Sequence, residues 1–190
     1  MSQDHIIVVN NFLPETKFES FQKYFFDTYT EENCCIHYYS VGETHSRSDM
    51  CLHLLNYASN YFDLSKCVGY ELWCQHNTKP ESKGPNGGWH FDKDEVLEEQ
   101  TGELKFPLCS IIYYVNVQYL TGGCLYVEDM KIPPQNNRLV LIPPGKEHCV
   151  EEFGGKRTSM IINPWDESPR MTINLPWCGW ANSRQVSCFL

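Results

Sequence analysis

Between residues 68 and 162 the chain repeats one pattern: a short apolar, β-branched or aromatic run, then a cluster of turn-forming residues. Val68–His76 alternates and is rich in aromatics. Cys109–Val117 is a long β-rich run, and Cys124–Val127 follows Gly122-Gly123. Arg138–Ile142 is closed by Pro143-Pro144-Gly145, and Thr158–Ile162 follows a turn at Gly154-Gly155. Trp89–Asp92 follows the Gly/Pro/Asn-rich stretch Gly84–Gly88. Short strands separated by turn residues predict an all-β sandwich or roll.

Ahead of this region the periodicity changes. Ile6–Val9 reads as a short strand broken by Asn10-Asn11, and Pro14 opens a helix. Phe18, Phe21 and Phe25, with Tyr24, recur at helical spacing to about Tyr29. Met50–Phe62 carries a second helical pattern through Leu52, Leu55, Tyr57, Ala58 and Tyr61. Both helices are expected to pack outside the β core. From Asn163 onward, Pro164, Trp165, Pro169, Pro176 and Trp177 make the tail irregular. At 190 residues the chain fits one domain. Residues 1–66 give a strand and supporting helices, 67–165 a β-core and 166–190 the tail.

Charge and cysteine usage narrow the function classes. Fifteen Lys and Arg against 24 Asp and Glu give a net charge of −9, which speaks against a nucleic-acid-binding surface. No run approaches the ~18 apolar residues of a membrane span. Met1-Ser2-Gln3-Asp4-His5 has no basic region before Ile6–Val9, so no secretory signal is expected. The ten cysteines contain no C-x-x-C pair, and no Asn-x-Ser/Thr acceptor exists. Several lie in apolar runs, as Cys109 and Cys124 do. They read as buried reduced thiols, with disulfides or a zinc cluster as the other possibilities. An intracellular compartment, cytoplasmic or nuclear, is expected.

Three features carry chemistry. His90-Phe91-Asp92 places an imidazole and a carboxylate at i and i+2, which on a strand share one face while Phe91 points away. His148 comes 58 residues later, just beyond Pro143-Pro144-Gly145. Arg157 follows nine residues after His148, with Ser159 two further on. Two imidazoles and one carboxylate form a facial triad that leaves three positions of an octahedral ion open. With iron(II) such a centre keeps a charge of about +1 and favours an anionic chelator. Arg157, on the strand beginning near Thr158, is placed to meet a second carboxylate, an interaction of roughly 1.5–3 kcal/mol. Ser159 shares its face. Taken singly, His148 reads as a turn residue and Arg157 as a solvated charge beside Lys156. Their order and spacing favour the joint reading.

On these residues the sequence resembles the iron(II)/2-oxoglutarate-dependent dioxygenases, and in pattern the prolyl 4-hydroxylase-like group. Ile6–Pro14 looks like that group's strand-to-helix opening, and Gly122-Gly123-Cys124-Leu125 like its Gly-Gly-x-Leu. Ser110-Ile111-Ile112-Tyr113-Tyr114-Val115-Asn116 looks like the strand that supplies a tyrosine to 2-oxoglutarate, a role that falls on Tyr114. The resemblance implies a double-stranded β-helix, a jelly-roll and cupin-like barrel with the N-terminal helices outside. It implies Fe(II) held by His90, Asp92 and His148. It implies 2-oxoglutarate held by Arg157, Tyr114 and Ser159, O2 as the second substrate, and ascorbate as accessory reductant. The implied reaction hydroxylates a protein side chain or small molecule and releases succinate and CO2. Asp92, being a carboxylate, speaks against a halogenase. The acidic segment Asp92–Glu103 reads as a solvated loop, or else as a rim that attracts a basic substrate. Trp89 and Trp165 read as core, with pocket lining as the alternative. Two other readings stand beside the enzyme. One is a cupin-type metal-binding protein, since Pro144-Gly145-x-x-His148 matches a cupin-like turn. The other is a non-catalytic jelly-roll module. Substrate identity and oligomeric state are not legible.

Overall fold

The computed structural model describes residues 4–29, 35–76 and 88–170. In chain order these form β1 (Ile7–Val9), α1 (Glu15–Asp27), β2 (His37–Ser40), α2 (Ser48–Ala58), β3 (Gly69–His76) and α3 (Glu95–Thr101). There follow β4 (Ser110–Gly122), β5 (Leu125–Val127), β6 (Met130–Ile132), β7 (Leu139–Ile142), β8 (His148–Val150) and β9 (Phe153–Trp165). The strands build a six-stranded sheet, ordered β1-β7-β4-β9-β3-β2, and a three-stranded sheet, ordered β6-β5-β8. Every pairing is antiparallel.

Alternation along the strands divides the apolar residues between two cores. On the outer face of the larger sheet Leu72, Cys74, Ile111, Tyr113, Val115, Leu139, Leu141, Met160 and Ile162 meet Phe18 and Phe25 of α1 and Met50, Cys51 and Leu54 of α2. On the inner face Trp73, Ile112, Tyr114, Val140, Ile142 and Ile161 meet Leu125, Val127 and Ile132 of the smaller sheet. This is the mainly β jelly-roll, with its N-terminal helices outside, that the sequence predicts.

The differences have local causes. β9 runs unbroken through the expected turn at Gly154-Gly155 and through the expected irregular stretch Asn163–Trp165, because β4 and β3 pair with it from both sides. Gly155 is needed there: at φ +93 a Cβ would lie 2.3 Å from the Tyr119 carbonyl oxygen. β4 also slips register between Tyr114 and Asn116, so that Val117 rather than Asn116 turns toward the inner core. Trp89–Asp92 forms no strand, and only His90 pairs, as an isolated bridge to His148. The acidic segment is not a loop but α3. Asp94 caps it by accepting from Leu97 N at 2.9 Å, and Gly102 closes it at φ 74. His148 lies on β8 rather than in a turn. Cys51, Cys109 and Cys149 are buried thiols. Cys34, Cys178, Cys188, Pro176 and Trp177 lie outside the described residues. Among the described residues no helix is long and apolar enough to cross a membrane.

Asn137 ties the N-terminal segment to the sheet. It is buried at φ +59, a conformation that asparagine tolerates better than most residues. Its carboxamide oxygen accepts from Leu13 N and from the Tyr113 hydroxyl, both at 2.9 Å, and its Nδ2 donates to Leu13 O at 2.8 Å. Asn137→Ala removes three buried hydrogen bonds and leaves their partners unsatisfied. Urea unfolding followed by circular dichroism is expected to show a loss of about 3–5 kcal/mol. A loss under about 1 kcal/mol would mean that water replaces the carboxamide.

Candidate functional site

The backbones of His90 and His148 exchange hydrogen bonds, His90 N to His148 O at 3.0 Å and His148 N to His90 O at 2.9 Å. This pair brings the two imidazoles to 4.3 Å between ring centroids. Phe91 turns away, its ring 5.9 Å from that of Phe106. Asp92 follows in irregular backbone, and Ser110 of β4 steadies it by donating to Oδ2 at 2.5 Å. Its Oδ1 stands 3.8 Å from His148 Nε2. The donor atoms of His90, Asp92 and His148 all lie within 4.8 Å of one another.

Both rings are held in the tautomer a metal requires. His90 Nδ1 donates to Gly88 O at 2.9 Å and His148 Nδ1 to Lys146 O at 3.1 Å, which puts each lone pair on Nε2. Burial, and then the nearby His148, lower the pKa of His90 below the ordinary histidine value and so favour its neutral form. With Asp92 this is a two-nitrogen, one-oxygen set suited to a divalent first-row metal ion.

A second polar group lies further along the same inner face. Tyr114 faces Ser159 across the β4–β9 ladder. The Arg157 guanidinium, 2% exposed, packs 5.1 Å from the centroid of the Tyr114 ring, and its Nη1 donates to Gln75 Oε1 at 3.0 Å. The Tyr114 hydroxyl, the Ser159 hydroxyl and the Trp73 indole N–H are buried and have no hydrogen-bond partner among the described residues. Orphaned buried polar atoms are rare, and each costs about 1–3 kcal/mol. Three such atoms beside a buried guanidinium fit a carboxylate-bearing ligand. Trp73, Ile112 and Ile161 form an apolar belt between this group and the Asp92 end.

The chain matches no known family profile, and no curated protein is similar to it in sequence. Solved structures do match. A Pseudomonas putida prolyl-4-hydroxylase superposes with a TM-score of 0.56 at 16% identity, covering 86% of this chain and 93% of that one. The viral collagen prolyl hydroxylase of Paramecium Bursaria Chlorella virus-1, in its 2-oxoglutarate complex, gives 0.52 at 10% identity, covering 85% and 96%. A Trichoplax adhaerens prolyl hydroxylase, in complex with a hypoxia-inducible-factor peptide fragment, gives 0.53 at 15% identity, covering 87% and 85%. The fold is that of the prolyl-hydroxylase-like 2-oxoglutarate oxygenases.

Within this barrel, the six residues singled out in the sequence as metal and co-substrate ligands fall into two clusters: His90, Asp92 and His148, and Arg157, Tyr114 and Ser159. Sequence reasoning missed the inner face of β3. There Glu71, Trp73 and Gln75 alternate with Tyr70, Leu72 and Cys74 of the outer core. Glu71 and Gln75, two polar residues of the same parity in an otherwise apolar run, were the available signal that the two faces differ. Trp165 is fully buried, and its indole N–H donates to Glu71 Oε2 at 2.9 Å. Trp89 packs edge-on against Tyr126 at 6.4 Å.

Burial pushes the Glu71 carboxyl up to about 7. The Trp165 hydrogen bond opposes this, while the charges of Asp92 and Asp94 add to it. A folded pKa above the unfolded 4.5 means that the folded state holds the proton more tightly. Stability is therefore lost as pH climbs from 4.5 to about 7, and the full penalty persists above that. Glu71→Gln carries no charge and escapes the penalty. In metal-free urea titrations the variant is expected to exceed the parent in stability at about pH 8 and to lose that advantage toward pH 4.5. The same difference at both pH values would show that the carboxyl titrates normally.

Proposed function

We propose that the protein is an Fe(II)- and 2-oxoglutarate-dependent oxygenase that hydroxylates a protein side chain or a small molecule and releases succinate and CO2. One observation carries the proposal: a barrel interior that combines the His90–Asp92–His148 cluster with a buried arginine among hydroxyl and indole donors that lack partners. When bound, iron and the 2-oxo acid supply an oxidant strong enough to take hydrogen from a C–H bond.

The chain's own residues define where that happens. His90 and His148 offer Nε2 lone pairs, because each Nδ1 is committed to a carbonyl. Ser110 occupies Oδ2 of Asp92, so Oδ1 is the oxygen directed at the ion. Arg157 neutralises the far carboxylate of the diacid, and its stacking on Tyr114 and its bond to Gln75 fix its orientation beforehand. The Tyr114 and Ser159 hydroxyls and the Trp73 indole N–H then find an acceptor. Ile112, Val140, Ile142 and Ile161 keep the interior dry, which strengthens each charged contact. A barrel that bound metal alone would leave these hydroxyl and indole donors without acceptors, which favours the oxygenase over a cupin-type binding protein. The peptide bound to the Trichoplax enzyme supports a protein side chain as substrate. The buried thiols support a reducing compartment, since burial pushes Cys51 to about 12 and raises Cys109 as well.

Anaerobic Fe(II) and 2-oxoglutarate are expected to give a weak visible charge-transfer band. Arg157→Ala is expected to weaken 2-oxoglutarate about 10–100-fold while sparing metal affinity, and Tyr114→Phe to do so by a smaller factor. Unchanged co-substrate affinity in Arg157→Ala would remove the anchor. His90→Ala and Asp92→Ala are each expected to abolish the band and 2-oxoglutarate-dependent succinate release. Metal bound as tightly after both changes would show that its ligands lie elsewhere, and metal binding with no response to 2-oxoglutarate would leave a cupin.

A further inference from the structure

The inner face carries one more polar group, which neither the metal cluster nor the arginine pocket uses. Glu71 on β3 lies opposite Asn163 on β9. One step beyond the Ile111–Ile162 pair, Asn163 lies beside Ser110, whose hydroxyl holds Asp92. Glu71, Asn163, Ser110 and Asp92 therefore form a row across the barrel at the metal end. Neighbouring strands are spaced about 4.8 Å apart, so Glu71 and Ser110 are about 10 Å apart along this row. Gln75 stands four residues further along β3, about 13 Å away, and Arg157 six residues back along β9 from Asn163, about 20 Å away, at the opposite end.

Asn163 is 2% exposed, and its carboxamide oxygen is a buried acceptor without a partner. Glu71 is bound by Trp165 through Oε2 alone, and it keeps part of its surface in solvent. Two acceptors side by side, one anionic above about pH 7 and one starved of a donor, call at such pH for a group that is all donor. An ammonium or guanidinium has several N–H bonds and a positive charge. A neutral hydroxyl brings one proton and no charge.

Charge elsewhere agrees. A divalent ion, Asp92, a dianionic 2-oxo acid and Arg157 would sum to about 0 (+2, −1, −2, +1), so the centre does not repel a cation. α3 begins beside Asp92 and carries Glu95, Glu98 and Glu99, and Asp92 contributes to the raised pKa of Glu95. Lys93 offsets part of this charge by pairing with Glu98 at 2.6 Å and Glu95 at 3.7 Å. The whole chain carries −9, which speeds the arrival of a cation.

We infer that Glu71 and Asn163 form the specificity subsite for a substrate bearing a protonated nitrogen, a lysine- or arginine-like group, held a few bonds from the carbon that is oxidised. Only the words about oxidation rest on the oxygenase reading; cation recognition by the pair stands apart from it.

The test uses the full chain, metal-free and again with Mn(II) and 2-oxoglutarate. The probes are N-acetyl-lysine methylamide, N-acetyl-arginine methylamide and the uncharged N-acetyl-norleucine methylamide, titrated by saturation-transfer NMR. A cationic probe is expected to bind at least about tenfold tighter than norleucine, and Glu71→Gln to erase that preference. Asn163→Ala is expected to reduce it. Equal binding of the three probes, or no binding of any at tens of millimolar, overturns the inference and leaves the pair holding water. A preference that survives Glu71→Gln also overturns it, because the cation is then read by Asp92 or α3. Failure of 2-oxoglutarate to bind in the second arm defeats the oxygenase reading alone.

Discussion

Two backbone hydrogen bonds between His90 and His148 determine whether this barrel has a centre at all. They join a residue in irregular chain to a strand of the smaller sheet, across 58 residues of sequence. Each imidazole is then committed through Nδ1 to a carbonyl two residues away along its own chain. The geometry of the site is thus built from main-chain contacts, which do not depend on the ion. Asp92 is the exception, since its carboxylate is positioned by a serine from β4 of the larger sheet. The cluster therefore straddles the two sheets, and anything that shifts one against the other changes the separation of its donors.

The barrel interior is polar at both ends and apolar between them. At one end Glu71, Asn163 and Ser110 line up across three strands, with Asp92 bound to Ser110, and at the other Gln75, Ser159 and Tyr114 do so, with Arg157 two residues further along β9. Trp73, Ile112 and Ile161 separate them. This division follows from strand periodicity alone: inward residues come at every second position, and four residues span the barrel's working length. The sheet supplies the spacing, and the side chains at each level supply the chemistry.

The same periodicity explains what could be read before any coordinates. His90, Asp92, His148 and Arg157 were legible because the chemistry of a facial triad restricts residue type and the strands restrict spacing. Tyr114 followed from the resemblance of its strand to one that supplies a tyrosine, and its parity with Ser110 and Ile112 agreed. Glu71, Trp73 and Gln75 were not legible, although β3 itself was. Nothing in an isolated alternating strand says which face meets helices and which meets the interior. Only the pairing with β9 decides that. β2, β6 and β8 are short; β2 and β8 take their strand character from partners more than twenty residues away in sequence, and β6 from the adjacent β5. α3 was hidden because its residues are nearly all charged or polar, with Leu97 the one side chain it buries. Its strongest local mark was the Asp94 cap.

The sheet order places β9 between β4 and β3, although β9 follows every other described strand in the chain. As the polypeptide leaves the ribosome, β3 and β4 each wait with an unpaired edge until residues near 165 emerge. Most of the sheet's pairings are long-range in sequence, and such contacts form late. The pocket is accordingly an all-or-none product of complete synthesis. A nascent chain halted before β9 presents two sticky edges and has neither Arg157 nor a closed interior, so cellular chaperones meet this protein at its most vulnerable just before β9 is inserted.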